Sequence, residues 1–316
     1  MEQLTMFCMS QTPFKEDFSI DEGALRAHLG RLVEARNGVY MGSGGAGEGH
    51  VLTVDECRQI YEIAVDEVRR RVPVYCNPRE ARSAGGMLEV AREAVAAGVD
   101  AVQFYQLDGG HGMMPTIREQ EAYWKEILDA IQHPVAISIH GQAGYSAPIS
   151  LLVDLCSRYE QIIAFNVMGG QQNHAYFMRL RDALPERIRL FTSQGNVVQL
   201  LTLGAAGSMG QENNAVPNIC QSIADGYLAG DMEKVGRATK ALQRLNNVVG
   251  QFSEAPGSAR GVKMTLKVLG LGNGVIRPPY VMPPADHLQK FKAALDEIGV
   301  WELEQSLRSS AGVAGA

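Results

Sequence analysis

The feature that most constrains the fold is an alternation of short apolar runs with longer amphipathic stretches along the first two thirds of the chain. The longer stretches carry apolar residues at helical spacing, as at Leu25, Leu29 and Leu32. Strands that alternate with helices form parallel βαβ units. Eight strand-like runs in about 210 residues therefore predict a (β/α)8 barrel. A doubly wound sheet is the alternative, but no GxGxxG motif follows the first run.

The strand-like runs stop after Pro217, and the rest of the chain has helical spacing. A proline-rich segment at 277–284 predicts an extended linker within this part. We therefore expect a barrel over residues 1–215 and a C-terminal helical subdomain over 216–316 that packs on it, with a frayed tail from residue 309. The expected strands lie at about 4–10, 38–42, 73–76, 100–105, 134–139, 162–165, 188–191 and 206–209, and the C-terminal helices at about 219–230, 233–249, 259–269 and 285–298.

Composition narrows the class of partner. The net charge of −6 gives no support to nucleic-acid binding, which usually leaves a basic footprint. No apolar run reaches the roughly 18 residues of a membrane helix, and the N-terminus does not resemble a signal peptide. The five cysteines are scattered and never spaced as CxxC, which favours reduced thiols over disulfides or a zinc ribbon. We expect a cytoplasmic protein with a small-molecule ligand, no nucleic acid and no membrane.

The active site of such a barrel lies at the carboxyl ends of its strands, which restricts the candidate residues. A glycine-rich segment, Gly42–His50, follows the second run, and its backbone N–H groups can receive a carboxylate or phosphate. The segment is neither a P-loop nor a dinucleotide fingerprint, and a tight βα turn is the alternative interpretation. Other polar residues follow the remaining runs, among them Asn77, Arg79, Asp108, Gln211 and Asn214.

Histidines are concentrated at the same predicted end of the barrel. Four of the seven follow strand-like runs, and imidazoles are common acids, bases and metal ligands near neutral pH. No HxH or HExxH spacing is present, so a metal would need ligands from separate loops. We predict no metal and no cofactor, while a metal-assisted site built from some of these loops stays an alternative. The residues concerned are His50, His111, His140 and His174, with Glu48 and Asp108 as further possible ligands.

Several short motifs resemble the dihydrodipicolinate synthase / N-acetylneuraminate lyase family, and they occur in order from about residue 5 to residue 300. The resemblance implies a (β/α)8 barrel with a C-terminal helical subdomain, usually a homotetramer built as a dimer of dimers. It also implies chemistry on 2-keto acids such as pyruvate through a lysine Schiff base. The motifs are Thr12–Phe14, Gly44–Glu48 with Leu52 and Thr53, Val72–Val74, Leu203–Gly207, Lys263, Leu269–Gly270 and Arg277–Pro279.

The chain departs from the family pattern where the resemblance places the chemistry. Asn166 occupies the position of the lysine, and an amide cannot form an imine with a keto acid. Ser138 occupies the position of the family's proton-shuttling tyrosine, and His140 follows two residues later on the same side of the strand. Gly45 and Ala46 replace two threonines of the glycine-rich segment, while Lys263 matches an ordinary lysine of the C-terminal helices.

These departures predict a lyase of the aldolase type that acts on a small oxo or hydroxy acid without a lysine Schiff base. Asn166 would polarise a carbonyl, and His140 or His111 would move protons, with Ser138 beside them. A metal-assisted lyase or hydrolase and a non-catalytic ligand-binding relative are the alternatives. The predicted substrate-binding residues are Ser43, Gly44, Gly45, Ala46, Tyr105, Gln194, Met209 and Glu212.

Overall fold

The protein forms a closed barrel of eight parallel strands, which confirms the predicted fold class. The structure is a computed structural model and describes residues 4–78, 83–168, 173–254 and 258–313. Each strand pairs with its neighbours in chain order, and β1 pairs with β8 to close the barrel. The strands are β1 Thr5–Met9, β2 Gly38–Met41, β3 Val74–Cys76, β4 Ala101–Tyr105, β5 Val135–His140, β6 Ile162–Met168, β7 Arg189–Ser193 and β8 Gly207–Gly210.

Seven helices connect consecutive strands, and their ends follow local sequence signals. The helix after β2 begins with a capping box, in which Thr53 accepts from the Glu56 backbone N–H and the Glu56 carboxylate accepts from that of Thr53. The helix after β3 ends at Gly98 in the left-handed conformation, as the sequence predicts. These helices are α1 Glu22–Glu34, α2 Val54–Val68, α3 Ala84–Ala97, α4 Ile117–Ala130, α5 Ile149–Arg158, α6 Asn173–Ala183 and α7 Val197–Leu201.

Side chains alternate between the inside of the barrel and the layer under the helices. Ala136 of β5 belongs to the small apolar cluster that fills the barrel interior. Ser138 and His140 follow at the strand period of two, so they share this inner face. Ile139 packs in the larger core between strands and helices. The interior cluster consists of Phe7, Tyr40, Tyr75, Ala101, Ala136, Ala164, Phe191 and Met209.

Five helices follow β8, and no strand occurs there within the described residues. The last helix was not predicted from the sequence, and the expected frayed tail from residue 309 is wrong as far as residue 313, where this helix ends. Its buried Glu304 accepts from the backbone N–H groups of Asn218 and Ile219 at the start of another helix. That tertiary contact has no local sequence signal. The helices are α8 Pro217–Ala229, α9 Met232–Phe252, α10 Ser258–Val268, α11 Ala285–Glu297 and α12 Val300–Val313.

The described helices were also compared with the requirements of a membrane span. None of them is both long and apolar enough to cross a bilayer.

Candidate functional site

The sixth strand is longer than predicted, and this places Asn166 inside the strand and not after it. β6 continues to Met168, which pairs with His140 of β5. Two residues earlier on β6, Asn166 pairs directly with Ser138 of β5, and Ser138 pairs with Tyr105 of β4. Three predicted site residues therefore lie side by side on adjacent strands near the carboxyl end of the barrel. This end is called the mouth below.

At inward-facing positions of four neighbouring strands, or just after them, four buried oxygen atoms lack a hydrogen-bond partner among the described residues. They belong to Asn77 after β3, Gln103 of β4, Ser138 of β5 and Asn166 of β6, which we call the polar tier. All four residues are at most 2% exposed. Leaving a buried polar atom unpaired costs roughly 1–3 kcal/mol, and native structures keep few such atoms. The polar tier is therefore the part of the barrel with unused capacity for a polar ligand or for water.

The side-chain amide nitrogens of two polar-tier residues form hydrogen bonds within the protein. The amide nitrogen of Gln103 donates to the Tyr40 hydroxyl at 2.8 Å, and that of Asn77 donates to the Gly42 carbonyl at 3.3 Å. These bonds orient the free oxygens as acceptors. Sequence analysis missed Gln103, although a polar residue at an inward position of the apolar run Ala101–Tyr105 was an available signal.

The glycine-rich segment contributes backbone donors to the same mouth. Within the described residues, no hydrogen bond from the backbone N–H groups of Ser43, Gly44, Gly45 or Ala46 is found, although Ser43 and Ala46 are at most 1% exposed. The turn is closed instead by Gly49, whose N–H donates to the Ser43 carbonyl at 2.9 Å. Such a run of unpaired donors can receive an anion.

Glycine is required at one position of this turn by close packing. A Cβ atom on Gly49 would lie 2.0 Å from the carbonyl oxygen of Gly42. No side chain fits at that distance, so the backbone can pass close to itself only because residue 49 has none.

A buried ion pair anchors this segment to the C-terminal helices. Glu48, in the left-handed conformation at φ 53°, forms an ion pair with Lys263 of α10, and the two side chains are 0% and 2% exposed. The backbone N–H of Arg277 donates to the second Glu48 oxygen at 3.1 Å. Burial lowers the pKa of Lys263 to about 8, although the adjacent Glu48 carboxylate opposes this shift.

One aromatic ring packs against both cations of this anchor. The Lys263 ammonium lies 4.1 Å from the centre of the Phe14 ring, and the Arg277 guanidinium lies 4.2 Å from it. The resemblance treated Lys263 as an ordinary lysine, and only the folded structure reveals its contact with Glu48.

The histidines named from the sequence occupy different environments. His140 lies beside Tyr105, with ring centres 5.7 Å apart, and burial lowers its pKa. It is therefore neutral near pH 7 and has a basic nitrogen. His111 is exposed in the loop before α4, and the His50 ring donates to the Gly44 carbonyl at 2.8 Å. His174 keeps a buried ring nitrogen without a partner in the described part of the chain.

Three predicted substrate-binding residues make contacts within the protein. The Gln194 side chain accepts from the Ser208 hydroxyl, and Met209 is fully buried in the interior cluster. Glu212 accepts from the Asn246 side chain of α9 at 2.9 Å. Arg79, a further polar residue expected after β3, lies outside the described residues.

Two features limit the chemistry of the mouth. The chain has eight lysines, and none of them lies on a barrel strand. Within the part of the chain that the structure describes, no cluster of three or more His, Cys, Asp or Glu residues has the geometry to hold a metal ion. The described site instead combines neutral amides, a serine hydroxyl, one imidazole and backbone donors.

Comparison with known proteins agrees with this architecture. The model of the dihydrodipicolinate synthetase family matches residues 3–298. The 4-hydroxy-tetrahydrodipicolinate synthase of Chloroherpeton thalassium is 25% identical over 300 residues, which cover 92% of this chain and 94% of that protein. The enzyme of the same name from Bartonella quintana is 26% identical over 296 residues, covering 92% of this chain and 96% of the relative.

Solved structures share the fold at lower identity. The 4-hydroxy-tetrahydrodipicolinate synthase of Methylacidiphilum fumariolicum superposes with a TM-score of 0.85 at 19% identity, covering 96% of this chain and 99% of the other. YagE of E. coli, solved in complex with pyruvate, has a TM-score of 0.84 at 18% identity and covers 94% and 99% of the two chains. With the family model matched along nearly the whole length, the chain belongs to the dihydrodipicolinate synthetase family.

Proposed function

We propose that this protein is a lyase of the aldolase type that acts on a small oxo or hydroxy acid without forming a lysine Schiff base. The observation that carries the proposal is the pairing of Ser138, whose hydroxyl is unused, with Asn166, in a barrel whose strands contain no lysine. The Ser138 O–H and the Asn166 amide N–H can each donate to a carbonyl oxygen. The resemblance assigns the imine-forming lysine to position 166. Asparagine there leaves hydrogen bonding as the means of activating a carbonyl.

The donors of Ser43–Ala46 suit the carboxylate of such an acid. Unpaired backbone N–H groups bind an anion without a charged side chain, and this loop is fixed by the Glu48–Lys263 anchor. The pyruvate bound to YagE gives a model for the size of the ligand. We propose that the carboxylate lies on the glycine-rich segment and that the reacting oxygen faces Asn166.

His140 is the proposed acid–base group. It lies on the inner face of β5, two residues beyond Ser138, and burial keeps its pKa low enough for a neutral ring. A positioned imidazole typically contributes on the order of 10²–10⁴-fold to a proton transfer. His111, Tyr105, Gln194, Met209 and Glu212 remain predicted site residues, and His111 is exposed on the loop between β4 and α4.

Calorimetric titration of pyruvate and related small oxo and hydroxy acids tests the proposal. We expect one of these acids to bind to the wild type. Asn166→Ala should lower the affinity for that acid about tenfold, which is the effect of losing one good hydrogen bond. Gln199→Ala, on the exposed surface of α7, is the control and should bind as the wild type does. Equal binding by Asn166→Ala and wild type would contradict the assigned role of Asn166.

A second candidate is a ligand-binding relative without catalysis, because every side chain of the polar tier is uncharged. Turnover of the acid found by titration separates the two. If the protein is an enzyme, His140→Gln should bind the acid but lose about 10²-fold or more in turnover, since glutamine cannot titrate. Binding with no detectable turnover in the wild type would favour the second candidate.

We also propose a cytoplasmic homotetramer. The five cysteines are buried and form no disulfide, which supports a reducing compartment. Met113 and Met114 are each 66% exposed and Ile117 is 54% exposed, an apolar surface that a second copy of the chain would cover. Light scattering at micromolar concentration should give a mass near four times 34.3 kDa, and a monomer would contradict the assembly.

A further inference from the structure

The face of the barrel opposite the mouth contains a cavity of about 610 Å³, called the basal cavity here. Four arginines line it, and they come from two connections below the strands and from the start of β7. Arg36 lies between α1 and β2, Arg70 and Arg71 between α2 and β3, and Arg189 begins β7. The arginines therefore converge beneath the barrel axis from positions that are far apart in the sequence.

The charge in the basal cavity is mostly positive, although the whole chain carries −6. One carboxylate, Asp100, lines the cavity, and it already accepts from the Val74 backbone N–H at 2.8 Å. Arg70 forms no hydrogen bond or ion pair with any residue that the structure describes.

Two of the other arginines have carboxylate partners on the surface. Arg36 contacts Asp225 at 2.5 Å, and Arg71 lies 3.9 Å from Glu67. Both arginine side chains are more than half exposed, at 62% and 52%. Exposed pairs of this kind are weak, so the Arg36 guanidinium can turn toward a stronger anion. The Arg71 guanidinium is held in place, because it donates to the Val68 carbonyl at 3.0 Å and to the Glu67 carbonyl at 2.6 Å.

The backbone at these arginines is unusual. Arg36 and Arg70 lie just after helices with φ of 58° and 59°, in the left-handed region that disfavours L-residues with side chains. At the ends of α3 and α8 the same chain uses Gly98 and Gly230 in this conformation. Arg36 and Arg70 therefore occupy positions where glycine would suit the backbone better, as does Arg69, which does not line the cavity.

The fourth arginine is held in place by neutral groups. Arg189 donates to the Thr5 hydroxyl at 3.1 Å, and its guanidinium lies 5.0 Å from the centre of the Phe191 ring. Val72 and Pro73 add apolar surface to the wall. The cavity thus combines guanidinium groups that are held by the protein, the Arg70 side chain without a described partner, and an apolar side.

We propose that the basal cavity binds a small molecule that carries two or more phosphate groups. A guanidinium group matches the oxygens of a phosphate with paired donors, and four arginines from two connections and one strand exceed what a single phosphate can contact. A volume of about 610 Å³ lies within the range of small-molecule sites. This site is separate from the mouth and does not depend on the function proposed there.

Calorimetric titration with inorganic pyrophosphate, and with orthophosphate as the comparison, tests the proposal on the full chain. We expect pyrophosphate to bind the wild type at least tenfold more tightly than orthophosphate, with affinity that falls as salt is added. Arg70→Gly should lower the affinity for pyrophosphate at least fivefold. The same substitution should leave the melting temperature unchanged or raise it, because glycine accepts the left-handed backbone.

The control is Arg237→Ala, an exposed arginine on α9 that should bind pyrophosphate as the wild type does. Absence of pyrophosphate binding by the wild type would overturn the proposal. Equal affinity in wild type and Arg70→Gly would also overturn it, since Arg70 would then serve only the end of α2. Equal weakening by Arg70→Gly and Arg237→Ala would indicate general charge attraction and no site.

Discussion

The two sides of the barrel mouth treat their buried polar groups in opposite ways. On the side of the glycine-rich segment, the buried Glu48 carboxylate forms an ion pair with Lys263, and its second oxygen accepts from the Arg277 backbone N–H. On the side of the polar tier, Ser138 and Asn166 are equally buried, but their oxygens have no partner in the described structure.

This difference indicates that the Glu48–Lys263 ion pair stabilises the fold and that the polar tier binds a ligand. A buried ion pair whose charges are matched holds the chain in one arrangement, and removal of either partner leaves an uncompensated charge. An unpaired amide or hydroxyl oxygen adds no hydrogen bond to the fold, and water or another molecule can supply the missing bond. We therefore expect substitutions at the anchor to change stability, and substitutions in the polar tier to change binding.

The largest expected effect on stability follows the loss of the buried Glu48–Lys263 ion pair. Lys263→Met should lower the free energy of unfolding by about 3–5 kcal/mol, because Glu48 then stays buried without its cation. Urea denaturation measures the loss. Arg308→Ala, which removes an exposed ion pair with Glu34, is the control and should cost at most about 1 kcal/mol. The double variant Lys263→Met with Glu48→Gln should recover part of the loss, and no recovery would argue against a charge effect.

A smaller effect on stability, which depends on pH, is expected from the buried His28 outside the mouth. His28 of α1 is 3% exposed, and burial together with the Arg31 guanidinium lowers its pKa to about 3. The unfolded chain, with an ordinary pKa near 6.5, binds a proton first as the pH falls. The stability from neutral His28 is therefore complete above about pH 6.5 and is lost toward pH 3. Between pH 7.5 and 5 the loss is about 2 kcal/mol.

Denaturation at several pH values measures this dependence, with His28→Leu as the comparison. The free energy of unfolding of the variant should fall by about 2 kcal/mol less between pH 7.5 and 5 than that of the wild type. An unchanged decline in His28→Leu would mean that other groups cause it. The outcome also sharpens the comparison, because His28 is a buried polar group that lies in helix packing and not at the mouth.

The smallest expected effect on stability is at the polar tier. Asn166→Leu should change the free energy of unfolding by less than about 1 kcal/mol, or raise it, since no protein hydrogen bond to the side-chain oxygen is lost. Asn37→Leu is the matched control. Asn37 is also fully buried, but its amide donates to Ala35 and Pro217 at 2.9 and 3.2 Å.

The Asn37 variant should be less stable than the Asn166 variant by about 1–3 kcal/mol, because it leaves two buried carbonyls without a donor. Similar losses in both variants would mean that Asn166 is structural. In that case the contrast between the two sides of the mouth would not hold.

The sequence predicted what depends on local pattern. Strand and helix alternation gave the barrel, and the capping box at Thr53 and the glycine at 98 marked helix ends. Helix α12 was missed because Glu304 stabilises it through a contact with α8 that no neighbouring residue signals. The end of β6 was placed too early, since pairing of Met168 with His140 extends the strand beyond its apolar run.

The candidate site was predictable only in part. The barrel fold put Ser138, His140 and Asn166 at one end, and alternation along β5 gave their common face. The role of Lys263 depends on a contact with Glu48, more than 200 positions away in the chain. Gln194, Met209 and Glu212 were chosen for their place after strands, whereas their contacts within the protein depend on packing that spacing does not encode.

Borohydride trapping with pyruvate tests most directly the central claim that the mouth works without a lysine imine. The protein is incubated with pyruvate and borohydride, and its intact mass is measured beside a family member that has the lysine. We predict no stable mass increase in this protein, because none of its lysines lies on a barrel strand. A stable increase that peptide mapping assigns to any of the eight lysines would contradict the account.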